Sequence, residues 1–199
     1  MKKRLLTIIL VVLFLISGCV RKWINSDQQM QDYINEFCPL PEGTIVSCSF
    51  LESGKLDDRY GDEYLKYLAY FDNGVKRLIQ VNVTFHQHLL QRGPDYRIRS
   101  CHTINVTEIK TASFRYADAD NDCVLLINAD GTFLLKECPE LNYYLNGSWS
   151  CDGQLMTLNC DDRYLYFLTD ENLLVYLDEP SDHFLMTALP DECVFLRIQ

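Results

Sequence analysis

Two histidines are so spaced that they could bind a metal ion. His86 and His88 flank Gln87, and alternate residues of a strand lie on the same face, as a pair of metal ligands would. No third ligand is close in sequence, although His102 or an acidic residue could fold nearby. Because the two histidines follow the polar face of an amphipathic segment, solvated surface residues are the favoured interpretation.

Two further groups resemble functional motifs but lack required residues. Residues 118–122, Asp-Ala-Asp-Asn-Asp, begin like an EF-hand calcium loop, yet Cys123 and Ala129 occupy the positions that need Gly and Glu. Residues 147–151 lack the final Gly of a GxSxG nucleophile elbow. We therefore predict no catalytic residue, no metal site and no cofactor, and we expect the protein to be non-enzymatic.

The cysteine at position 19 follows a segment that is typical of an exported chain. Residues 1–4 are positively charged, and residues 5–16 form an apolar run too short to span a bilayer comfortably. Leu15-Ile16-Ser17-Gly18-Cys19 resembles the lipobox of bacterial lipoproteins, in which small residues admit the signal peptidase and the thiol accepts a diacylglyceryl group.

That resemblance implies a location and a membrane partner. Residues 1–18 would be removed as a signal peptide, and the lipid on Cys19 would anchor residues 19–43, a tether with a short helix, to a membrane of the cell envelope. The body would lie outside the cytoplasm. Val20, where Asp would retain an enterobacterial lipoprotein in the inner membrane, favours the outer membrane if the host has one.

The other eight cysteines predict structural crosslinks. An even number of cysteines in an exported chain favours a disulfide framework, and their spacings fit no zinc motif. They are Cys38, Cys48, Cys101, Cys123, Cys138, Cys151, Cys160 and Cys193.

One bridge, Cys123–Cys138, is predicted from hairpin register. If Asp130-Gly131 are the central residues of a two-residue type I′ turn, the two cysteines face each other with Cα atoms about 5.5 Å apart. A β-bulge would shift this register by one residue. Alternatively, each cysteine reaches a neighbouring strand, such as the one that ends at Cys151 or at Cys160.

The elements that would position these residues are mostly strands. A short helix is predicted within residues 20–37, capped by Ser26 or Asp27 and ended by Pro39. Residues 44–51 and 75–85 predict strands, and residues 96–110 have weaker strand character. Residues 64–71 fit a strand or a helix face, and the following Asn73-Gly74 favours the strand.

The second half predicts an antiparallel meander that closes as a barrel or a curved sheet. Turn residues at 130–131, 146–147, 152–153, 161–162 and 170–172 punctuate short strands. The strands are expected at residues 123–128, 132–138, 143–150, 154–160, 163–169, 173–177 and 193–198.

This half resembles the lipocalin-like domains of small bacterial lipoproteins. The similarity rests on Asp130-Gly131-Thr132-Phe133, on Gly147-Ser148-Trp149, on Gly153-Gln154-Leu155-Met156-Thr157-Leu158 and on residues 164–175. It implies a mainly β fold, with a β-rich region at residues 44–117 and a lipocalin-like meander at residues 118–199. Whether these are one domain or two stays open.

Composition narrows the class of function. The net charge is −10, and removal of Lys2, Lys3 and Arg4 would make it more negative still, which argues against nucleic acid as a partner. We expect an envelope lipoprotein that binds a ligand through its β body. The alternatives are a protein-interaction module, such as an inhibitor of a cationic enzyme, and a structural or assembly factor of the envelope. A hollow barrel would favour ligand binding, and a protruding acidic loop would favour a protein-interaction module. A flat apolar edge would favour a structural or assembly factor.

Overall fold

A computed structural model describes residues 26–56, 62–86, 95–106, 110–118, 121–138, 143–185 and 189–198. They form a four-stranded antiparallel sheet with one helix, and a closed eight-stranded antiparallel barrel. The predicted mainly β fold, with a lipocalin-like barrel and a short N-terminal helix, is confirmed. The expected signal peptide and Cys19 lie outside the described residues. Within the described part, no helix has the length and hydropathy needed to cross a bilayer.

Helix α1 (Asp27–Phe37) begins at the predicted cap. The hydroxyl of Ser26 accepts a hydrogen bond from the backbone N–H of Gln29 at 3.3 Å, which satisfies one of the free amides of the first turn. Met30 and Ile34 are fully buried against the sheet. The Asn35 side chain bonds the backbone N–H and C=O of Ile45, so the helix is fixed to the start of the first strand.

The sheet is a meander in which sequential strands are neighbours. Ile79, Val81 and Val83 are buried on the helix side, as their alternation predicts. Leu68 and Leu78 lie on the opposite face, which packs on the barrel. The strands are β1 (Ile45–Lys55), β2 (Glu63–Phe71), β3 (Lys76–His86) and β4 (Asp95–Thr103).

The barrel is also a meander, closed by pairing of its last strand with its first. Leu196 lies opposite Arg115 in that closing pair. The first strand of the barrel, residues 112–118, was not predicted from the sequence. The strands are β5 (Ala112–Asp118), β6 (Asn121–Ile127), β7 (Thr132–Cys138), β8 (Tyr143–Asp152), β9 (Leu155–Cys160), β10 (Arg163–Thr169), β11 (Leu173–Leu177) and β12 (Val194–Ile198).

Large apolar side chains fill the barrel interior. Phe114, Phe133, Phe167 and Phe195 point inward and are each 2% exposed or less. The rings of Phe167 and Phe195 pack edge to face, with centroids 5.7 Å apart. Leucine, isoleucine and methionine side chains occupy the space between these rings. The interior is therefore a packed core like that of a globular domain.

The loop after β6 corrects the predicted register. It has three residues, not two: Asn128 N–H bonds Thr132 O at 2.9 Å, and Gly131 has a φ of +85°. Val124 consequently lies opposite Lys136, which places Cys123 opposite residue 137. The register argument for the Cys123–Cys138 bridge is wrong. The side chain of Cys138 lies outside the described residues, so the bridge itself stays a prediction.

The other predicted turns have mixed outcomes. Asp161 and Asp162 both have positive φ and form a two-residue loop between β9 and β10, as expected. The pair Asn146-Gly147 does not form a turn but lies within β8. Glycine is needed there because a Cβ atom on Gly147 would collide with the backbone carbonyl of Asn159 on β9.

The sheet packs on the outer wall of the barrel at a contact surface that we call the junction. It comprises an apolar cluster together with the polar residues Lys66, Gln154 and Asp170. The apolar members are Leu68, Leu78, Leu168, Leu173, Val175 and Leu177. Lys76 adds an ion pair at the edge, since its Nζ lies 2.7 Å from the Glu192 carboxylate. The two units therefore share a buried surface that is both apolar and charged.

Candidate functional site

A cleft of about 350 Å³ opens where the sheet meets the barrel. Strands β2, β3 and β4 contribute one wall, the segment 104–106 after β4 another, and the turn between β10 and β11 the rim. Its volume lies in the range of small-molecule sites, which favour such boundaries between structural units. The lining residues are Leu56, Tyr64, Lys66, Gln80, His102, Ile104, Asn105, Val106, Asp170, Glu171 and Asn172.

The floor of the cleft is a buried ammonium between two carboxylates. Lys66 Nζ lies 2.7 Å from Glu52 Oε1 and 2.5 Å from Asp170 Oδ2, and the Lys66 and Asp170 side chains are 7% and 3% exposed. Burial lowers the pKa of Lys66, but its hydrogen bonds and charge interactions with Asp170 and Glu52 outweigh burial and leave that pKa raised. The amine therefore stays protonated at neutral pH and is not available as a nucleophile or a base.

The rim is built by the turn that holds Asp170 in place. Asp170 Oδ1 accepts hydrogen bonds from the backbone N–H groups of Asn172 and Leu173, at 2.6 and 2.9 Å. Arg197 contacts the main chain of the same turn. Its backbone N–H donates to the carbonyl of Asn172, and its guanidinium donates to the backbone carbonyl of Glu171. The turn is thus fixed through its main chain, and the side chains of Glu171 and Asn172 are exposed at the cleft.

Tyr64 forms an aromatic wall that depends on a glycine. Gly54 lies directly opposite Tyr64 on β1, and a Cβ atom at Gly54 would collide with the Tyr64 ring and hydroxyl. The ring therefore lies across the bare backbone of β1. Lys66 Nζ is 5.3 Å from the centroid of this ring, so the aromatic face also contacts the buried cation.

Asp62 fixes the position of Leu56, an apolar lining residue of the cleft. Its carboxylate binds Arg99 Nε at 3.0 Å and accepts a hydrogen bond from the Thr84 hydroxyl at 2.8 Å, while its side chain is 5% exposed. Its backbone carbonyl accepts the N–H of Leu56, a lining residue. These contacts fix where β1 ends, and hence where Leu56 meets the cleft.

The side chain of Gln154 connects the barrel to the sheet through hydrogen bonds to main-chain groups. Its side-chain amide accepts the backbone N–H of Leu78 at 2.8 Å and donates to the carbonyls of Leu78, at 2.7 Å, and Ile104. The residue is 6% exposed. Since Ile104 lines the cleft, Gln154 sets the position of the segment that follows β4.

This arrangement is suited to binding. The cleft combines aromatic and aliphatic walls with three side-chain amides, from Gln80, Asn105 and Asn172. Its buried ammonium, Lys66, is held between two carboxylates of the protein, Glu52 and Asp170. Among the described residues, no three His, Cys, Asp or Glu side chains converge closely enough to hold a metal ion.

Of the histidines singled out in the sequence, His102 lines the cleft and is exposed there. The side chain of His86 and all of His88 lie outside the described residues. Of the acidic run 118–122, Asp122 forms a two-point contact with Arg115, with both distances 2.7 Å. Residues 147–151 lie within strand β8. Sequence reasoning missed the other cleft residues, although a lysine inside the otherwise apolar Tyr64–Phe71 stretch was an available signal.

The described thiols divide between the two cores. Cys38, Cys48 and Cys101 face the core between helix and sheet, whereas Cys160 and Cys193 face the barrel interior. These five and Cys151 carry free thiols in the structure. Burial is the main reason why the pKa values of Cys48, Cys101 and Cys193 are raised to about 12. Such thiols are poorly reactive in the folded protein.

The chain matches no protein-family model, and no curated protein or solved structure resembles it significantly.

Proposed function

We propose that this chain is a non-catalytic binding protein that takes a small polar ligand in the cleft between sheet and barrel. The observation that carries the proposal is the cleft itself, which both units build around the buried Lys66 group. Ligand binding through the β body was the leading expectation from sequence, and the packed barrel interior directs it to the outside of the barrel.

A cleft-filling variant tests this proposal. The Asn172 side chain is exposed and the residue holds the turn through its backbone, so Asn172→Trp should fill the opening without disturbing the fold. A panel of monosaccharides, amino acids and amines would be screened by ligand-observed NMR against the wild type, against Asn172→Trp and against Asn146→Trp. Asn146 is exposed on β8 and does not line the cleft.

We expect compounds that bind the wild type and Asn146→Trp but not Asn172→Trp. The proposal fails if no member of the panel binds, or if every compound that binds the wild type also binds Asn172→Trp.

We further propose that the protein is a lipoprotein of the bacterial cell envelope. The lipobox-like sequence that ends at Cys19 supports this, and Val20 favours the outer membrane in a host that has one. Metabolic labelling with a palmitate analogue should mark the wild type and not Cys19→Ala. Equal labelling of the two proteins would contradict the proposal.

Export would also place the other cysteines in an oxidising compartment. Six of the eight are free thiols in the structure, so pairing would be a product of oxidation after export. We propose that most of the eight become paired there, each closed loop stabilising the fold by about 2–4 kcal/mol. Non-reducing mass analysis of protein taken from the envelope would reveal the pairs. Six or more free thiols would contradict this proposal.

A second candidate function is binding of a cationic protein at the barrel end opposite the 170–172 turn. Asp161, Asp162 and Glu179 are exposed there, in the loops after β9 and β11. Titration with lysozyme as a cationic probe would test it. Asp161→Asn/Asp162→Asn keeps residues that tolerate positive φ and should weaken binding. Lysozyme that binds neither protein, or both equally, would exclude this function.

A further inference from the structure

The charges around the cleft identify the class of ligand that it accepts. Among the described residues, Asp170 and Glu171 line it with carboxylates, and Glu52 adds a third carboxylate beside Lys66. The described cations at the cleft and its rim are the buried Lys66 and the exposed Arg197, and His102 lines the cleft as an exposed imidazole. Carboxylates outnumber cations, so the local charge is negative, as is that of the whole chain.

Neither cation is well placed to receive an anionic ligand. The ammonium of Lys66 is held at 2.7 and 2.5 Å by two carboxylates, and an anion would have to displace one of them from a buried site. The guanidinium of Arg197 does not line the cleft and donates to the backbone carbonyl of Glu171. An anion would therefore meet repulsion that neither of these two cations compensates.

A cation would find complementary groups instead. The Glu171 side chain is exposed at the rim, where it can pair with an ammonium group of a ligand. The side-chain carbonyls of Asn105 and Asn172 can accept further N–H bonds. Leu56, Ile104 and the ring of Tyr64 offer an apolar wall for a short methylene chain.

Resting on the function proposed above, we propose that the ligand is a small organic cation, an amine carried on a short aliphatic chain. Glu171 receives its charge, the amides orient its N–H groups and the apolar wall holds its carbon chain. Lys66 remains a structural cation of the floor.

Three four-carbon probes that differ in charge test this inference. Putrescine, 1,4-butanediol and succinate would each be titrated into the purified protein and followed by amide chemical shifts of residues 64–66, 102–106 and 170–172. We expect putrescine to bind most tightly, and a rise from 50 to 500 mM NaCl to weaken it, because salt screens exposed charges. Equal affinity for putrescine and butanediol, or tighter binding of succinate, would overturn the inference and leave the cleft as a binding site.

A pair of matched variants locates the charge that matters. Glu171→Gln removes the rim carboxylate and should weaken putrescine binding by roughly 1.5- to fivefold, the range of a single exposed ion pair. Glu179→Gln removes a carboxylate that is also exposed, at the other end of β11 from the 170–172 turn, and should leave binding unchanged. Equal effects of both changes, or none from either, would contradict a role of Glu171. If no probe shifts cleft residues, the cation inference fails, and the panel of compounds described above decides separately whether the cleft binds at all.

Discussion

The barrel interior and the junction are both buried, yet they are built from different chemistry. The interior contains close-packed aromatic and aliphatic side chains, with phenylalanine rings at its centre. The junction combines leucines with Lys66, Asp170 and Gln154, and the cleft opens at its edge. The barrel therefore acts as a packed support, and the place for polar recognition arises where the sheet and the barrel meet incompletely.

The largest expected effect comes from the interior. Phe167 is fully buried against Tyr176 and Phe195, with ring centroids 5.5 and 5.7 Å away. Phe167→Ala should lower the free energy of unfolding by about 3–5 kcal/mol in urea titrations, since it leaves a cavity. Phe50→Ala, at a ring that is 48% exposed on β1, should cost about 1 kcal/mol or less. Similar losses for both would show that the barrel interior is not tightly packed.

A somewhat smaller loss of stability is expected when one of the two carboxylates that pair with Lys66 is removed. Asp170→Asn retains an oxygen for the N–H groups of Asn172 and Leu173, but it leaves the buried Lys66 with Glu52 alone. We expect a loss of about 2–4 kcal/mol in the free energy of unfolding, against little change for the exposed Asp152→Asn.

The pH dependence of that loss follows from Lys66. Its pKa is raised in the folded protein, so the stability that comes from its pairing is complete below the ordinary lysine pKa of 10.5 and disappears as pH rises through the folded value. The difference between wild type and Asp170→Asn should therefore be constant near pH 7 and shrink above about pH 10.5. A difference that shrinks between pH 7 and pH 9 would contradict this account.

The smallest loss of stability is expected from removal of the hydrogen bonds of a neutral side chain, Gln154. Gln154→Met preserves most of the volume of the side chain but leaves the buried N–H of Leu78 without its acceptor. We expect a loss of about 1–3 kcal/mol and faster hydrogen exchange at the Leu78 amide. Gln31→Met is the matched control, because the carbonyl of Ile45 that it releases still accepts from Asn35. Unchanged exchange at Leu78 would mean that Gln154 does not hold the sheet to the barrel.

Much of the fold was accessible from sequence, because hairpins are local. Alternation along residues 75–85 and the turn at Asp161-Asp162 predicted strand β3 and the β9–β10 hairpin correctly. The Asp130-Gly131 pair fits both two-residue and three-residue loops, so sequence alone could not fix that register. Strand β5 was missed although it pairs with its sequence neighbour β6, because residues 118–122, where the two strands meet, were considered only as an acidic motif.

The cleft was not predictable for a related reason. Lys66 is surrounded by apolar residues of β2, and the carboxylates that neutralise it come from β1 and from the turn after β10. Gln154 follows a turn glycine, and only the assembled structure shows its side chain bonded to the backbone of another unit. Sites of this kind depend on which distant segments meet, and periodicity carries no information about that.

The main-chain anchoring of the 170–172 turn has an evolutionary consequence. Residues inside the barrel can change only in compensating groups, since each fills space that its neighbours define. Glu171 and Asn172 are held by backbone atoms, so single substitutions of their side chains leave the scaffold intact. Related chains could therefore acquire new ligand preferences one residue at a time at this rim while keeping the same barrel.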